Sequence, residues 1–384
     1  MSTSPSVLLV STASRWYSTA RAPRAFARAG FDVSLLAPRD SLAAASRFVS
    51  RIVHLPDDAT TLQWVHAFAA AVRAARPVLV VPCDDVAYRL LSMLVVAPPR
   101  HLQPVVHREL AELIRHSLGA PVHYEATFDK ALLADAAAAI GIPVAPRAIV
   151  TTAEDALRFT GLHGFPVVLR HRNAAAASAG AAYLADSREA LTLALATLLD
   201  TNAPDADDAT PAGIYIRKRI DGYICHHHVA AWQGRLLGGY AGARLHAHAA
   251  PDAVLRFRDD ALVRALSERL VDAFAVNGLV SVQYAIERAT QSPFLLGIDR
   301  RIGSGTHCGA LMNVDLCAAL HAAIRDVPCA TRAALDAGEE RIFVQFPAEW
   351  LRDPRSAWLR RYPVDAPWDD PELLAAMLAL RAVP

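Results

Sequence analysis

The chain has 384 residues, 53% of them hydrophobic, and sets 39 Lys and Arg against 38 Asp and Glu for a formal net charge of +1. That length accommodates roughly two or three domains with cores of their own, and the near-neutral balance offers no general field for nucleic acid or an acidic membrane surface, which argues against bulk polyanion binding. The five cysteines, Cys83, Cys225, Cys308, Cys317 and Cys329, are scattered without a C-x-x-C pair, so neither a disulfide framework nor a zinc knuckle is expected.

Residues 1–15 hold only a four-residue apolar run at 7–10 with no basic leader, unlike a signal peptide. The longest apolar runs, such as 131–140 and 191–199, are too short to cross a bilayer. The expectation is a cytoplasmic protein with neither nucleic acid nor membrane as partner.

In chain order, short apolar runs at 7–10, 33–37 and 78–82 alternate with helical stretches at 20–29 and 61–75. This is the pattern of buried parallel strands in right-handed βαβ units, a doubly wound sheet. Ligands of such a sheet lie beyond the carboxyl ends of its strands, which makes 11–15, 38–41 and 83–85 the candidate ligand edge. None of these turns carries G-x-G-x-x-G, so a dinucleotide domain is not expected. A helical stretch at 108–117 follows, and from residue 128 the order is helix, strand, helix, strand, helix up to 199. Residues 201–212, rich in Asp, Ala, Pro and Thr, read as a surface loop. Strands dominate thereafter, at 214–220, 224–232, 235–245, 279–287 and 294–298, with helices at 259–276 and 312–324. The tail after 341 carries Trp350, Trp358 and Trp368 among prolines and reads as a docked extension.

Four fragments between residue 128 and about 320 have a specific character. Asp129-Lys130 opens a helix that leads to Gly141-Ile142-Pro143-Val144-Ala145-Pro146. Gly164-Phe165-Pro166-Val167-Val168-Leu169-Arg170 is a strand delivering a cation at its end. The last two are Gly278-Leu279-Val280-Ser281-Val282-Gln283-Tyr284-Ala285 and Phe294-Leu295-Leu296-Gly297-Ile298-Asp299-Arg300-Arg301. Together they resemble the ATP-grasp superfamily, and within it the carbamoyl-phosphate synthetase large subunit and carboxylate-amine ligase-like relatives.

The resemblance implies an α/β and α+β fold: a Rossmann-like pre-ATP-grasp domain at 1–125, the small lid subdomain at 126–212, the C-terminal subdomain at 213–330, and an irregular or helical extension at 331–384. It implies ATP and Mg2+ as cofactors, with small-molecule carboxylate and amine or thiol as substrates. Lys130 and Arg170 would hold phosphates, and Ser178 in the loop 173–180 and Lys218 in the hinge strand would join them in binding the nucleotide. Gln283 and Asp299 would bind the metal, and Arg301 would stabilise the transferred phosphoryl group. Oligomeric state stays open, a homodimer included.

Three parts of this site depart from the family pattern. Alanine replaces most glycines of the loop 173–180, favouring helix over an open phosphate cradle. Arg217, Lys218 and Arg219 stand in the hinge where relatives place an acceptor. Gly297 stands where the metal-ligating glutamate belongs. The residues therefore leave two functions in view, a ligase that activates a carboxylate as an acyl-phosphate and a degenerate fold that binds a nucleotide or other anion without turnover. Two further features remain outside the site. Cys225-His226-His227-His228 with His246 and His248 reads as half-buried sheet histidines, a transition-metal site being the alternative. Gly303-Ser304-Gly305-Thr306-His307 is either a substrate loop or a plain turn.

Overall fold

The structure is a computed structural model and describes residues 4–56, 58–99, 103–172, 182–200, 213–245, 253–329 and 340–380. The chain forms two compact units, one of Met1–Pro121, Cys225–Val282 and Ile298–Pro384, the other of Val122–Ile224 and Gln283–Gly297. Among the described residues no helix is long and apolar enough to cross a membrane.

The first unit begins with β1 (Ser6–Val10), α1 (Ala22–Arg28), β2 (Asp32–Pro38), β3 (Arg51–Leu55), α2 (Thr61–Ala75), β4 (Leu79–Pro82), α3 (Asp85–Val96) and α4 (Pro104–Leu118). Its four strands form a parallel sheet in the order β3-β2-β1-β4. All five residues of β1 are buried, as a central parallel strand covered on both faces requires. The five-residue β3, RIVHL, is too short and too exposed to show a strand period in the sequence. The helix starts are set locally: Thr60 and Gln63 form a reciprocal capping box on α2, and Asp84 caps α3, satisfying amide groups that have no partner inside the helix.

The second unit contributes α5 (Lys130–Ala139), β5 (Arg147–Val150), α6 (Ala153–His163), β6 (Val167–His171), β7 (Tyr183–Ala185), α7 (Arg188–Asp200) and β8 (Ile214–Lys218). The strands pair antiparallel in the order β5-β8-β6-β7. One face of this sheet, with Val167, Leu169, Ile214 and Ile216, packs on Ala156 and Phe159 of α6 and on Leu191, Leu195 and Leu198 of α7.

The rest of the chain consists of β9 (Gly222–Trp232), β10 (Arg235–Arg244), β11 (Val254–Arg258), α8 (Ala261–Ala273), β12 (Gly278–Glu287), β13 (Pro293–Asp299), α9 (Leu316–Ile324), β14 (Glu340–Val344), α10 (Ala348–Arg352), α11 (Ala357–Arg361) and α12 (Pro371–Ala379). A six-stranded sheet takes the order β13-β12-β9-β10-β11-β14, and β9, β12 and β13 each have residues in both units. The single helix expected at 312–324 is in fact two elements: a 3-10 turn at Thr306–Met312, then α9. Asn313 at φ 58 breaks it, because asparagine tolerates the left-handed region, and the Asp315 side chain caps the restart by accepting from Ala318 N–H. The tail from residue 340 forms a strand and three short helices. β14 closes the edge of the sheet beside β11, and Leu373 and Met377 of α12 are buried with Ala20, Leu42 and Phe346.

Candidate functional site

In the first unit, the parallel sheet reverses its winding between β1 and β4, the place where open α/β sheets receive ligands. The carboxylate of Asp84 organises this edge. It accepts from Ser11 Oγ at 2.9 Å, Thr12 N–H at 2.7 Å, Thr12 Oγ1 at 2.7 Å, Ala13 N–H at 3.3 Å and Ala87 N–H at 2.8 Å. Hydrogen bonds to an ionised acceptor are the stronger kind, so one side chain fixes both the turn after β1 and the start of α3. A pocket of about 520 Å³ opens at the same edge, lined among others by Thr12, Ser14, Pro38, Asp58, Trp64 and Val86.

Arg301 lies in this unit with Asp299. Its Nε donates to Asp85 Oδ1 at 2.6 Å and its Nη2 to Asp85 Oδ2 at 3.4 Å, a two-pronged pair with the first residue of α3. Burial alone would lower the Arg301 pKa, but Asp299 and Asp85 together outweigh it and hold the pKa above its ordinary value. The guanidinium is thus a fixed cation. The sequence placed residues 83–85 on the ligand edge but gave no sign that Asp85 is the partner of Arg301, since 216 residues separate them.

In the second unit, α5 starts where the Asp129-Lys130 pair predicted. Asp129 is the N-cap, accepting from Ala131 N–H at 2.8 Å and Leu132 N–H at 3.1 Å, while its other oxygen takes Arg172 Nε at 2.7 Å. Lys130 is carried by that cap as the first helical residue and is buried, 9% exposed. A Cβ built on Gly297 would lie 3.1 Å from Lys130 Nζ and 3.5 Å from Gln283 Oε1. The ammonium of Lys130 and the amide of Gln283 therefore converge at Gly297.

The other face of the antiparallel sheet carries further cations. Register places Arg170 opposite Tyr215 and Arg217 opposite both Arg147 and Val168, so by strand alternation Arg147, Arg170, Tyr215 and Arg217 share one face. Burial, opposed by Tyr215 and reinforced by Arg170 and Arg219, lowers the Arg217 pKa. Burial also raises that of Tyr215 against the pull of Arg217, so the phenol stays a neutral hydrogen-bonding group. Lys218 belongs to the opposite face and donates to the Phe165 carbonyl at 2.6 Å. Arg170, Arg217 and Lys218 stand out as cations in the sequence, with Arg217 and Lys218 alternating across a strand, whereas nothing there singles out Arg147 as their neighbour. Ser178 and the loop 173–180 fall outside the described residues, as do the loop 201–212, His246 and His248.

His227 and His228 are buried; His226 and His228 stack with ring centroids 6.4 Å apart, while His227 faces the other way. Burial depresses the His227 pKa to about 3, so this imidazole is neutral, in keeping with a packed sheet histidine. Among the described residues one trio has metal-ligand character, His307, Cys308 and Asp365, with ligand atoms within 4.8 Å of one another. Its groups already serve one another. Asp365 pairs with Arg21 at 3.2 Å, takes Phe346 N–H at 2.5 Å and bonds His307 Nε2 at 2.7 Å. Burial pushes the Cys308 thiol pKa far up. We read this knot as the anchor of the tail.

Magnesium takes oxygen ligands and shares carboxylates with nucleotide phosphates. The residues meeting at Gly297 are an amide and an ammonium, and among the described residues no Asp or Glu trio gathers there. These two groups by themselves do not supply the carboxylate that such a site uses.

No protein-family model matches the chain, and no curated protein sequence matches it. Solved structures do. Biotin carboxylase from Campylobacter jejuni superposes with a TM-score of 0.63 at 13% identity, covering 88% of this chain and 74% of that one. The chain has the ATP-grasp fold. N5-carboxyaminoimidazole synthase from Aspergillus clavatus, in complex with ADP and 5-aminoimidazole ribonucleotide, gives 0.62 at 14% identity over 89% of this chain and 82% of that one. L-amino acid ligase from Bacillus licheniformis gives 0.56 at 14% identity over 84% and 75%.

Proposed function

We propose that the protein is an ATP-dependent ligase of the ATP-grasp type, activating a small carboxylate as an acyl-phosphate for attack by an amine or thiol. The observation that carries this reading is the convergence of Lys130 and Gln283 at Gly297, in the same unit as the Arg170 and Arg217 face. Phosphoryl transfer asks a protein for position and for neutralisation of charge more than for covalent chemistry, and these side chains supply both. Residues 1–125 serve in this reading as the Rossmann-like pre-ATP-grasp domain, 126–212 as the lid, 213–330 as the C-terminal subdomain and 331–384 as the extension that anchors it.

In the reaction, a carboxylate oxygen attacks the γ-phosphorus and ADP leaves; the amine or thiol then attacks the acyl carbon and phosphate leaves. Lys130 and Arg170 bind phosphate oxygens, Arg170 through its forked donors. Ser178 adds a hydroxyl, and Lys218 holds the hinge through the Phe165 carbonyl. Arg301, fixed as a cation by Asp85 and Asp299, meets the charge that develops on the transferred group. Gln283 and Asp299 keep the part of oxygen donors to a single divalent ion, and no step here depends on it. The protein acts in a cytoplasmic setting on small molecules.

The test is ADP release by the purified chain across a panel of small carboxylates paired with amines and thiols. Carboxylate-dependent ADP release that falls at least a hundredfold in Arg301→Met supports the ligase. A second reading, nucleotide or anion binding without turnover, is favoured by Gly297, which removes a metal-ligating carboxylate. Tight nucleotide binding with no ADP release for any pair would select it.

A further inference from the structure

We propose that the pocket at the carboxyl edge of the parallel sheet binds a primary amine on an apolar body, and that this amine, rather than a thiol, is the acceptor of the reaction. The assignment rests on the ligase reading given above. It concerns only the first unit, which contains every described residue of the pocket wall.

The wall sorts candidate occupants by charge. The pocket measures about 520 Å³, within the usual range for a small-molecule site, and it lies where the strands of an open α/β sheet receive ligands. Among the described lining residues Asp58 is the only charged side chain, and no described residue makes a hydrogen bond or ion pair to its carboxylate. An ammonium would complete that carboxylate with a charge-assisted hydrogen bond, and the hydroxyl of Ser14 in the same wall can accept a further ammonium proton. A thiol is a weak donor that gains little from a carboxylate, and an anion would be repelled.

The rest of the wall asks for an apolar body. Trp64 is 2% exposed and stacks on Phe68, with ring centroids 5.3 Å apart and planes 13° apart, so its ring is a fixed surface. Val86 and Leu90 of α3 add aliphatic area. Covering such area favours an amine on a hydrocarbon or aromatic body over a small hydrophilic one, and an aromatic ring in the wall also suits an ammonium. The same wall leads to Arg301. Thr12, which lines the pocket, donates to Asp84 at 2.7 Å. The next residue, Asp85, accepts from Arg301 at 2.6 Å, and Val86 after it lines the pocket again. Three consecutive residues at the start of α3 thus connect the pocket with the cation assigned to the transferred phosphoryl group.

The test is a ligand-observed NMR titration of the full chain at neutral pH without nucleotide, with phenethylamine set against its uncharged analogues phenethyl alcohol and phenethyl mercaptan. The amine should bind about tenfold or more tightly than either analogue, as one hydrogen bond between charged groups implies. Asp58→Asn should abolish that preference, because asparagine keeps the size and tolerates the left-handed backbone of residue 58, φ 53, while removing the charge. Val86→Trp, at a position 55% exposed, should weaken all three ligands by filling the pocket. Circular dichroism of each variant establishes that it folds. An amine that binds no tighter than the alcohol, keeps its preference in Asp58→Asn or is unaffected by Val86→Trp overturns the inference and leaves the ligase reading intact. ADP release supported by thiols and never by amines overturns the acceptor assignment alone. No ADP release with any pair overturns the ligase reading and the acceptor assignment with it, while the titration still decides what the pocket binds.

Discussion

Asp365→Asn isolates one buried charge in the knot that anchors the tail. The Asp365 and Arg21 side chains are 4% and 6% exposed, and they meet at 3.2 Å. Asparagine keeps the shape and an acceptor for Phe346 N–H, but it leaves the Arg21 guanidinium buried without a counter-charge. Removing one partner of a buried pair costs about 3–5 kcal/mol, and because the amide retains hydrogen bonds we expect the low end, about 3 kcal/mol. The assay is urea unfolding followed by tryptophan fluorescence. All six tryptophans, Trp16, Trp64, Trp232, Trp350, Trp358 and Trp368, belong to the first unit, so the signal reports that unit alone. The pH dependence gives a second check. Burial acts to raise the Asp365 pKa, but Arg21 and His307 outweigh it and hold it below its ordinary value. Its contribution is therefore present above an unfolded pKa of about 3.9 and is lost as pH falls through the lower folded one, so native and variant curves should begin to approach one another as pH falls below about 4. Adding Arg21→Met to the variant should recover part of the loss, since the unpaired charge goes with it. A variant within about 1 kcal/mol of the native chain at pH 7 would refute the assignment of Asp365 as a buried counter-charge.

Three other outcomes follow from the same physics. His227 is held neutral with its pKa near 3, below an unfolded value of about 6.5, so the unfolded chain takes up a proton as pH falls below 6.5 and the fold loses stability. Between pH 7 and 5 that amounts to about 2 kcal/mol, and His227→Gln should flatten the loss by that amount in urea midpoints measured at both pH values. Asp84→Ala removes an acceptor serving five donors; we expect a loss of about 3 kcal/mol in the same fluorescence assay, and a loss below about 1 kcal/mol would count against Asp84 as the organiser of that edge. In the second unit, a Cβ at Gly222 would lie 1.8 Å from the Ile286 carbonyl oxygen. Gly222→Ala must therefore move backbone at a cost of about 3 kcal/mol, and hydrogen exchange in β6 and β8 should rise by about two orders of magnitude if the unit opens as a whole.

What the sequence determined by itself is local. Asp129 before Lys130 marks a helix start because a carboxylate there satisfies free amide groups, and α5 begins at that residue. The apolar runs of β1, β2 and β4 and the strands around Gln283 and Asp299 were legible because burial imposes a short apolar period along a few consecutive residues. Only the tertiary structure decided which of these residues meet. Lys130 and Gln283 are 153 positions apart and converge only because the second unit folds α5 and β12 toward Gly297. Lys218 is one residue from Arg217 yet serves the opposite face, since pairing register settles the direction of each side chain. Arg301 gains its fixed charge from Asp85 across the sheet edge. Composition and spacing carry no record of such long-range partners. A charge acquires a role only when folding removes water from around it and determines which atom stands opposite.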